Sequence, residues 1–441
     1  MQKPKCSILS ATISNTFWTN TRITNIRSHA PSTSTYTHLN AAGASVPPLS
    51  VTQAQINHIN LEALIGGYDA AAQALATTES LYPKFSTLIN AASPTEIAVL
   101  DSSTTALAYA IYSIKLSPGD VIVSASGSEY AANAIAALHH SHKHGAKVVF
   151  VPSLSTGGVD FQQLRSELGK YGARVKAVLL THCPTNGGII NDAQGVGDLI
   201  HQIEEGDRPI YFLDACQTVG QVHIDVQLLR CDVLATTSRK WLRGPRGVGF
   251  LYVKTSLLNG ENMRFEKVPP ILDMHGAKWG GGGGGMDSSK FEIRADCRRY
   301  EFWEANISGK CGAAAALDYV LDIGTMHIEA RVQMLAARFR RGMEGSRGIR
   351  TLDHDNEDVV NGGICSLEVD KGTGVGGGAE SLKNHLMESY KIIGSCSSNG
   401  SSLIDQQTRG LGTKSLRLSF HYFNTVDEVD KVVAAIRKYK Y

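Results

Sequence analysis

Seven short apolar runs within residues 97–253 constrain what this chain can fold into more than any other feature. They are Ile97–Leu100, Val121–Val123, Val148–Val151, Ala177–Leu180, Ile210–Leu213, Val233–Ala235 and Gly249–Val253. Each is continuous rather than alternating, the pattern of a strand buried on both faces. Between most of them lie segments with apolar residues at helical spacing, such as Tyr130–His140 and Gly195–Glu205. This alternation predicts an α/β fold with a mainly parallel, seven-stranded sheet covered by helices. The last two runs leave no room for a crossover helix, so one strand there is expected to be antiparallel.

Beyond Trp279 and the six glycines Gly280–Gly285 the pattern changes. Lys310–Ile323 and His327–Met343 read as helices, Gly363–Val369, Lys391–Ser397 and Ser415–His421 as strands, and Val426–Lys438 as a closing helix. These predict a large domain over 38–325 and a small carboxyl-terminal α/β domain over 326–441. Before Glu62 there are four cations and no acid, and residues 1–37 hold fourteen Ser or Thr. That stretch reads either as an organelle transit peptide or as a disordered tail, leaving a cytoplasmic or mitochondrial location open. A net charge of only +2 argues against a dedicated nucleic-acid binder. No apolar run reaches the roughly 18 residues that a membrane helix needs. The eight cysteines form no C-x-x-C pair, so no zinc site is expected. The histidines of His139–His144 read as the end of an exposed helix rather than as a metal site.

Chemistry concentrates at three places. In Thr237-Ser238-Arg239-Lys240-Trp241, followed by Gly244-Pro245-Arg246-Gly247, a lysine follows an apolar strand and enters a turn. A desolvated lysine near other cations has a depressed pKa and can form a Schiff base, whereas a lone lysine is ordinarily a solvated charge. In Tyr211-Phe212-Leu213-Asp214-Ala215-Cys216-Gln217 an aspartate ends a strand at the carboxyl edge of the sheet, where open α/β folds bind ligands. A helix cap is its bland reading. Asp101-Ser102-Ser103-Thr104-Thr105 is a hydroxyl-rich strand-to-helix turn, either a phosphate cradle or a capping run.

Taken together, Lys240, Asp214 and this cradle resemble the fold-type I pyridoxal-phosphate enzymes, specifically the class V aminotransferase-like group. That group includes cysteine desulfurases, selenocysteine lyase, isopenicillin N epimerase and the hercynylcysteine sulfoxide lyase. The resemblance runs from His38 to the carboxyl terminus and implies a pyridoxal 5'-phosphate cofactor and a homodimer. It implies that Lys240 is the Schiff-base lysine, with Thr237 and Arg239 as phosphate ligands beside Ser103 and Thr104. Asp214 would partner the pyridinium nitrogen and Gln217 the ring hydroxyl, with Thr185 or Asn186 beside the ring oxygen. Tyr130, in Glu129-Tyr130-Ala131-Ala132-Asn133, takes the place of the aromatic residue that stacks on the cofactor, where many members carry histidine. Arg417 would grip the substrate carboxylate with its planar fork. Asn40 lies in the opening loop that lines the substrate site.

The expected reaction is C–S bond cleavage by β-elimination on a cysteine-derived amino acid, with Lys240, Asp214 and Tyr130 at the chemistry. Epimerase, aminotransferase and cysteine desulfurase are alternatives within the group, and a catalytically silent relative is the non-enzyme alternative. A desulfurase needs a mobile cysteine before the arginine. The one candidate, Cys396, lies 21 residues upstream of Arg417 in an expected strand, as a structural thiol.

Overall fold

A computed structural model describes residues 17–260, 262, 264–280, 287–353, 359–370, 378–408, 410–412 and 414–439. All seven apolar runs are strands: β1 Ile97–Leu100, β2 Val121–Ser124, β3 Lys147–Phe150, β4 Val175–Thr181, β5 Ile210–Asp214, β6 Val233–Thr237 and β7 Gly249–Val253. They form one seven-stranded sheet in the order β1-β7-β6-β5-β4-β2-β3. The antiparallel strand is β7, which runs against β6 and β1 on its two sides; the remaining pairs are parallel. Continuous apolar sequence is needed because both faces are covered. Val99, Val123, Val178 and Leu213 enter one buried cluster, while their neighbours Ala98, Ile122, Ala177 and Phe212 enter another on the opposite face.

The helices that matter for the site are α1 Asn20–Ser28, α2 Leu49–Ile65, α3 Ser103–Tyr112, α4 Ala131–Lys143, α5 Phe161–Tyr171, α6 Ala193–His201, α7 Ile307–Ile323, α8 Thr325–Met343, α9 Ala379–Tyr390 and α10 Val426–Lys438. Thr425 and Glu428 close a capping box at the start of α10, which is why that helix begins where the sequence places it. Among the described residues no helix is long and apolar enough to cross a membrane.

Four short strands, β8 Ile349–Thr351, β9 Ile364–Val369, β10 Ser395–Ser398 and β11 Lys414–Ser419, make a second sheet in the order β8-β9-β11-β10. Every pair in it is antiparallel. Here the strands alternate. On β11, Leu416 and Leu418 pack with Leu335, Phe339, Leu386 and Val432. Ser415, Arg417 and Ser419 take the other side of the pleat, all buried.

Residues 17–37, expected to belong to a disordered or transit-like extension, are folded and packed on the body of the protein. Phe17 stacks on His327, and the Trp18 indole donates to His327 O at 3.0 Å. Arg27 pairs with Glu428 at 3.0 Å and donates to Phe423 O. One hydroxyl of this stretch caps a helix: Thr19 Oγ1 accepts from Arg22 N–H at the start of α1. Residues 1–16 and Gly281–Gly285 of the glycine run lie outside the described residues.

Candidate active site

Asp214 is the last residue of β5 and Thr237 the last of β6, so the adjacent parallel strands deliver both to the carboxyl edge of the sheet. After β6 the chain turns sharply. Gly244 N–H donates to Ser238 O at 2.8 Å, Arg243 N–H to Lys240 O at 3.1 Å, and Arg243 takes a left-handed φ of 58°. Gly220 lets a neighbouring turn approach: a Cβ there would lie 2.6 Å from the Trp241 carbonyl carbon. The turn puts Lys240 and Asp214 in the walls of one cavity.

One cavity of about 170 Å³ lies at this edge. Its walls include Ser103, Thr104, Tyr130, Thr185, Asp214, Gln217, Thr237, Arg239 and Lys240, nine of the residues singled out in the sequence. At one end is the first turn of α3, where Ser102 Oγ caps the helix by accepting from Thr105 N–H at 3.1 Å. The first amides of a helix have no partner within it, so this end has the donors an anion needs, with Thr237, Arg239 and Arg246 around it. At depth Asp214 is fixed by two donors: the Cys216 N–H reaches Oδ1 at 2.9 Å and Asn133 Nδ2 reaches Oδ2 at 2.8 Å. Burial holds the Lys240 amine below its ordinary range; the charges of Arg239 and Arg417 add to this, against the pull of Cys216 and Asp214. The shift moves the amine toward its neutral, nucleophilic form. An anion cradle, a buried carboxylate, a depressed amine and the Tyr130 ring in one cavity are the donor set that pyridoxal phosphate requires.

Three of the expected site residues do not line the cavity. Asn186 is turned away: its Oδ1 accepts from Ser397 and Ser401 at 2.9 and 3.0 Å, and its Nδ2 donates to Asn399 O. It joins the two sheets, and of the Thr185/Asn186 pair only Thr185 lines the cavity. Asn40 bridges to Ser419 in the second sheet; from its loop it is the Ala42 carbonyl that accepts from Gln217 Nε2, at 3.1 Å. Arg417 stands behind Thr185, donating from Nη1 to Thr185 O at 3.1 Å and Oγ1 at 2.7 Å, and from Nε to Ser395 Oγ. Burial, then Arg239, lowers its pKa to about 10.

The fold also brings in Asn133, Thr181, Cys183, Cys216 and Arg246, which sequence reasoning did not assign. Asn133 had a legible signal, because it lies four residues after Glu129 at the start of a helix. The histidine run ends α4, where His140 Nε2 contacts Ile114 O at 2.8 Å. Among the described residues no group of three metal-ligating side chains converges.

A sequence profile of the family described as Aminotransferase class-V matches residues 37–432. A probable cysteine desulfurase of Vibrio cholerae is 26% identical over 412 residues, 91% of this chain and 93% of the relative. One from Pyrococcus abyssi is 26% identical over 331 residues, 73% of this chain and 72% of the relative. The cysteine desulfurase of Thermococcus onnurineus superposes with a TM-score of 0.80 at 20% identity, covering 94% of this chain and 97% of that one. The cystine C–S lyase C-DES, solved with its product cysteine persulfide, superposes with a TM-score of 0.77 at 18% identity, covering 93% and 99%. With the profile spanning both sheets and the cavity built as above, the chain belongs to the class V aminotransferases, pyridoxal-phosphate enzymes of fold type I.

Proposed function

We propose that the protein is a C–S lyase acting by β-elimination on a cysteine-derived amino acid. Bound pyridoxal phosphate supplies an electron sink for the bond broken at the substrate α-carbon. The chain supplies the rest. The α3 amides, Ser103, Thr104, Thr237 and Arg239, with Arg246 beside them, would hold the phosphate, and Tyr130 would offer its ring face to the cofactor. Asp214, with both oxygens fixed, keeps a proton on the facing ring nitrogen. Lys240 Nζ takes the α-proton and passes it to the sulfur that leaves as a thiol when the Cβ–S bond breaks. Arg417 orients the α-carboxylate from behind Thr185.

The observation that carries the lyase reading is the face on which Cys396 lies. In β10, Ser395 contacts Arg417 and Ser397 contacts Asn186. Cys396, between them, packs against the apolar cluster of the small sheet. Burial pushes its thiol up to about 11. A desulfurase nucleophile must be a thiolate that swings to the substrate sulfur. Burial likewise raises the cavity thiols, Cys216 to about 12 and Cys183 further.

The second reading, cysteine desulfurase, is favoured by the names of the relatives. A product assay over cysteine conjugates and free cysteine separates the two. Pyruvate, ammonia and a released thiol without dependence on a protein cysteine support the lyase; sulfide formed through a protein persulfide sinks it. A homodimer is part of the same proposal, supported by apolar side chains left in solvent, Leu64, Tyr68, Met274 and Trp279 among them. Light scattering on the holoenzyme tests it, a monomer being the contrary result.

A further inference from the structure

Behind the cavity floor lies a second buried carboxyl that the chemistry above does not use. Glu129 is 5% exposed and none of its hydrogen bonds comes from a cation. Its Oε1 accepts from Thr181 Oγ1 at 2.7 Å, Asn133 Nδ2 at 2.9 Å and Tyr130 N–H at 3.1 Å. Its Oε2 lies 3.3 Å from Ser124 Oγ. That hydroxyl has a single hydrogen, and it is also 3.1 Å from the carbonyl oxygen of Ser126, which can only accept. With the Ser124 hydrogen on Ser126 O, the remaining contact is a hydrogen bond only if Oε2 carries a proton and donates it to Ser124 Oγ.

We propose that Glu129 is held as a neutral acid and acts, through Asn133, as a positioning residue for Asp214. The Asn133 amide has two hydrogens and spends one on each carboxyl group, Glu129 Oε1 and Asp214 Oδ2. Flipping that amide would aim its oxygen at two acceptors, so the pair fixes its orientation and with it the Asp214 carboxylate. Keeping Glu129 neutral leaves Asp214 as the one charge of this buried cluster, whose other members are Ser124, Ser126, Tyr130, Asn133 and Thr181. Burial, reinforced by Asp214, raises the Glu129 carboxyl, with the Asn133 and Thr181 donors opposing.

The Asn133 part rests on the cofactor role proposed for Asp214; the protonation state does not. Infrared difference spectroscopy of wild type against Glu129→Gln at neutral pH, on apo-protein and holoenzyme, is expected to contain the carbonyl stretch of a protonated carboxylic acid. Carboxylate bands alone overturn the neutral assignment. In the holoenzyme, Asn133→Ala and Glu129→Ala are expected to shift the pH titration of the cofactor absorbance and to lower kcat about tenfold with little change in KM. Glu129→Gln, which keeps an acceptor toward Asn133 and a donor toward Ser124, is expected to recover the wild-type titration. An unshifted titration in the alanine variants overturns the positioning role, and so does a Glu129→Gln titration that matches Glu129→Ala. A wild type that takes up no pyridoxal phosphate would instead defeat the proposed function and leave the infrared result standing.

Discussion

The indole N–H of Trp241 donates to Gln217 Oε1 at 2.9 Å, joining the residue after Lys240 to the turn that follows Asp214. On its other side the Trp241 carbonyl is 3.0 Å from His421 Nε2. His421 Nδ1 accepts from Tyr422 N–H, so the ring hydrogen sits on Nε2 and is donated to Trp241. The lysine turn is therefore held from the large sheet and from the end of the small one together.

Trp241→Phe removes that indole donor and leaves Gln217 Oε1 buried without it. The expected loss is about 1–3 kcal/mol of stability, with weaker cofactor binding. Denaturant unfolding of the apo-protein and a cofactor titration measure the two. Unchanged cofactor affinity would mean the bond is packing alone.

Lys240→Met is expected to abolish turnover and the borohydride-fixed cofactor found by mass spectrometry in wild type. It should also stabilise the apo-protein at neutral pH. The folded Lys240 binds its proton more weakly than the unfolded one, so stability rises with pH between the lowered folded value and the ordinary 10.5. The gap between Lys240→Met and wild type should narrow over that window. Urea unfolding at several pH values checks this; a gap that widens with pH contradicts the buried-amine reading.

Asp214→Asn should still bind pyridoxal phosphate, because the α3 end of the cavity supplies the affinity. It should lose about a hundredfold or more in kcat, since the carboxylate supplies the electrostatics of ring protonation. Steady-state kinetics within a few-fold of wild type would reduce Asp214 to a cap.

Cys396→Ser should leave turnover of a cysteine conjugate largely intact. Arg417→Ala should cost about 2–4 kcal/mol in kcat/KM, mostly through KM, by removing a buried charge-assisted contact. The two variants are compared for sulfide release from free cysteine with dithiothreitol. Rapid release by wild type that disappears in Cys396→Ser would make Cys396 the nucleophile and the enzyme a desulfurase.

Much of the large sheet was legible because strands such as β5 and β6 are covered on both faces, and burial on both faces writes itself as an unbroken apolar run. Lys240 and Asp214 were legible for a related reason: polar residues that end such runs stand at the sheet edge. Arg246 was not, because a turn arginine looks alike whether it meets solvent or a cavity. The folding of residues 17–37 was not legible, because capping hydroxyls, targeting segments and disordered tails share a composition. Trp18 and Arg27 find long-range partners in α8 and at the carboxyl-terminal end of the chain.

The sequence by itself determined the alternation of strands and helices, the antiparallel turn-back near β7, and the order of lysine, aspartate and hydroxyl motifs. These are local matters of apolar spacing and chain length. Tertiary structure decided which side each marginal residue faces. Period-two alternation divides β10 into two faces, but only the pairing of Ser395 with Arg417 and Cys396 with Leu416 says which face meets the large domain. The same holds for Asn186, satisfied by Ser397 and Ser401 across more than 200 residues of chain. A buried amide must be hydrogen-bonded, and which partners satisfy it is fixed by how the two sheets dock, a long-range fact that no local pattern contains.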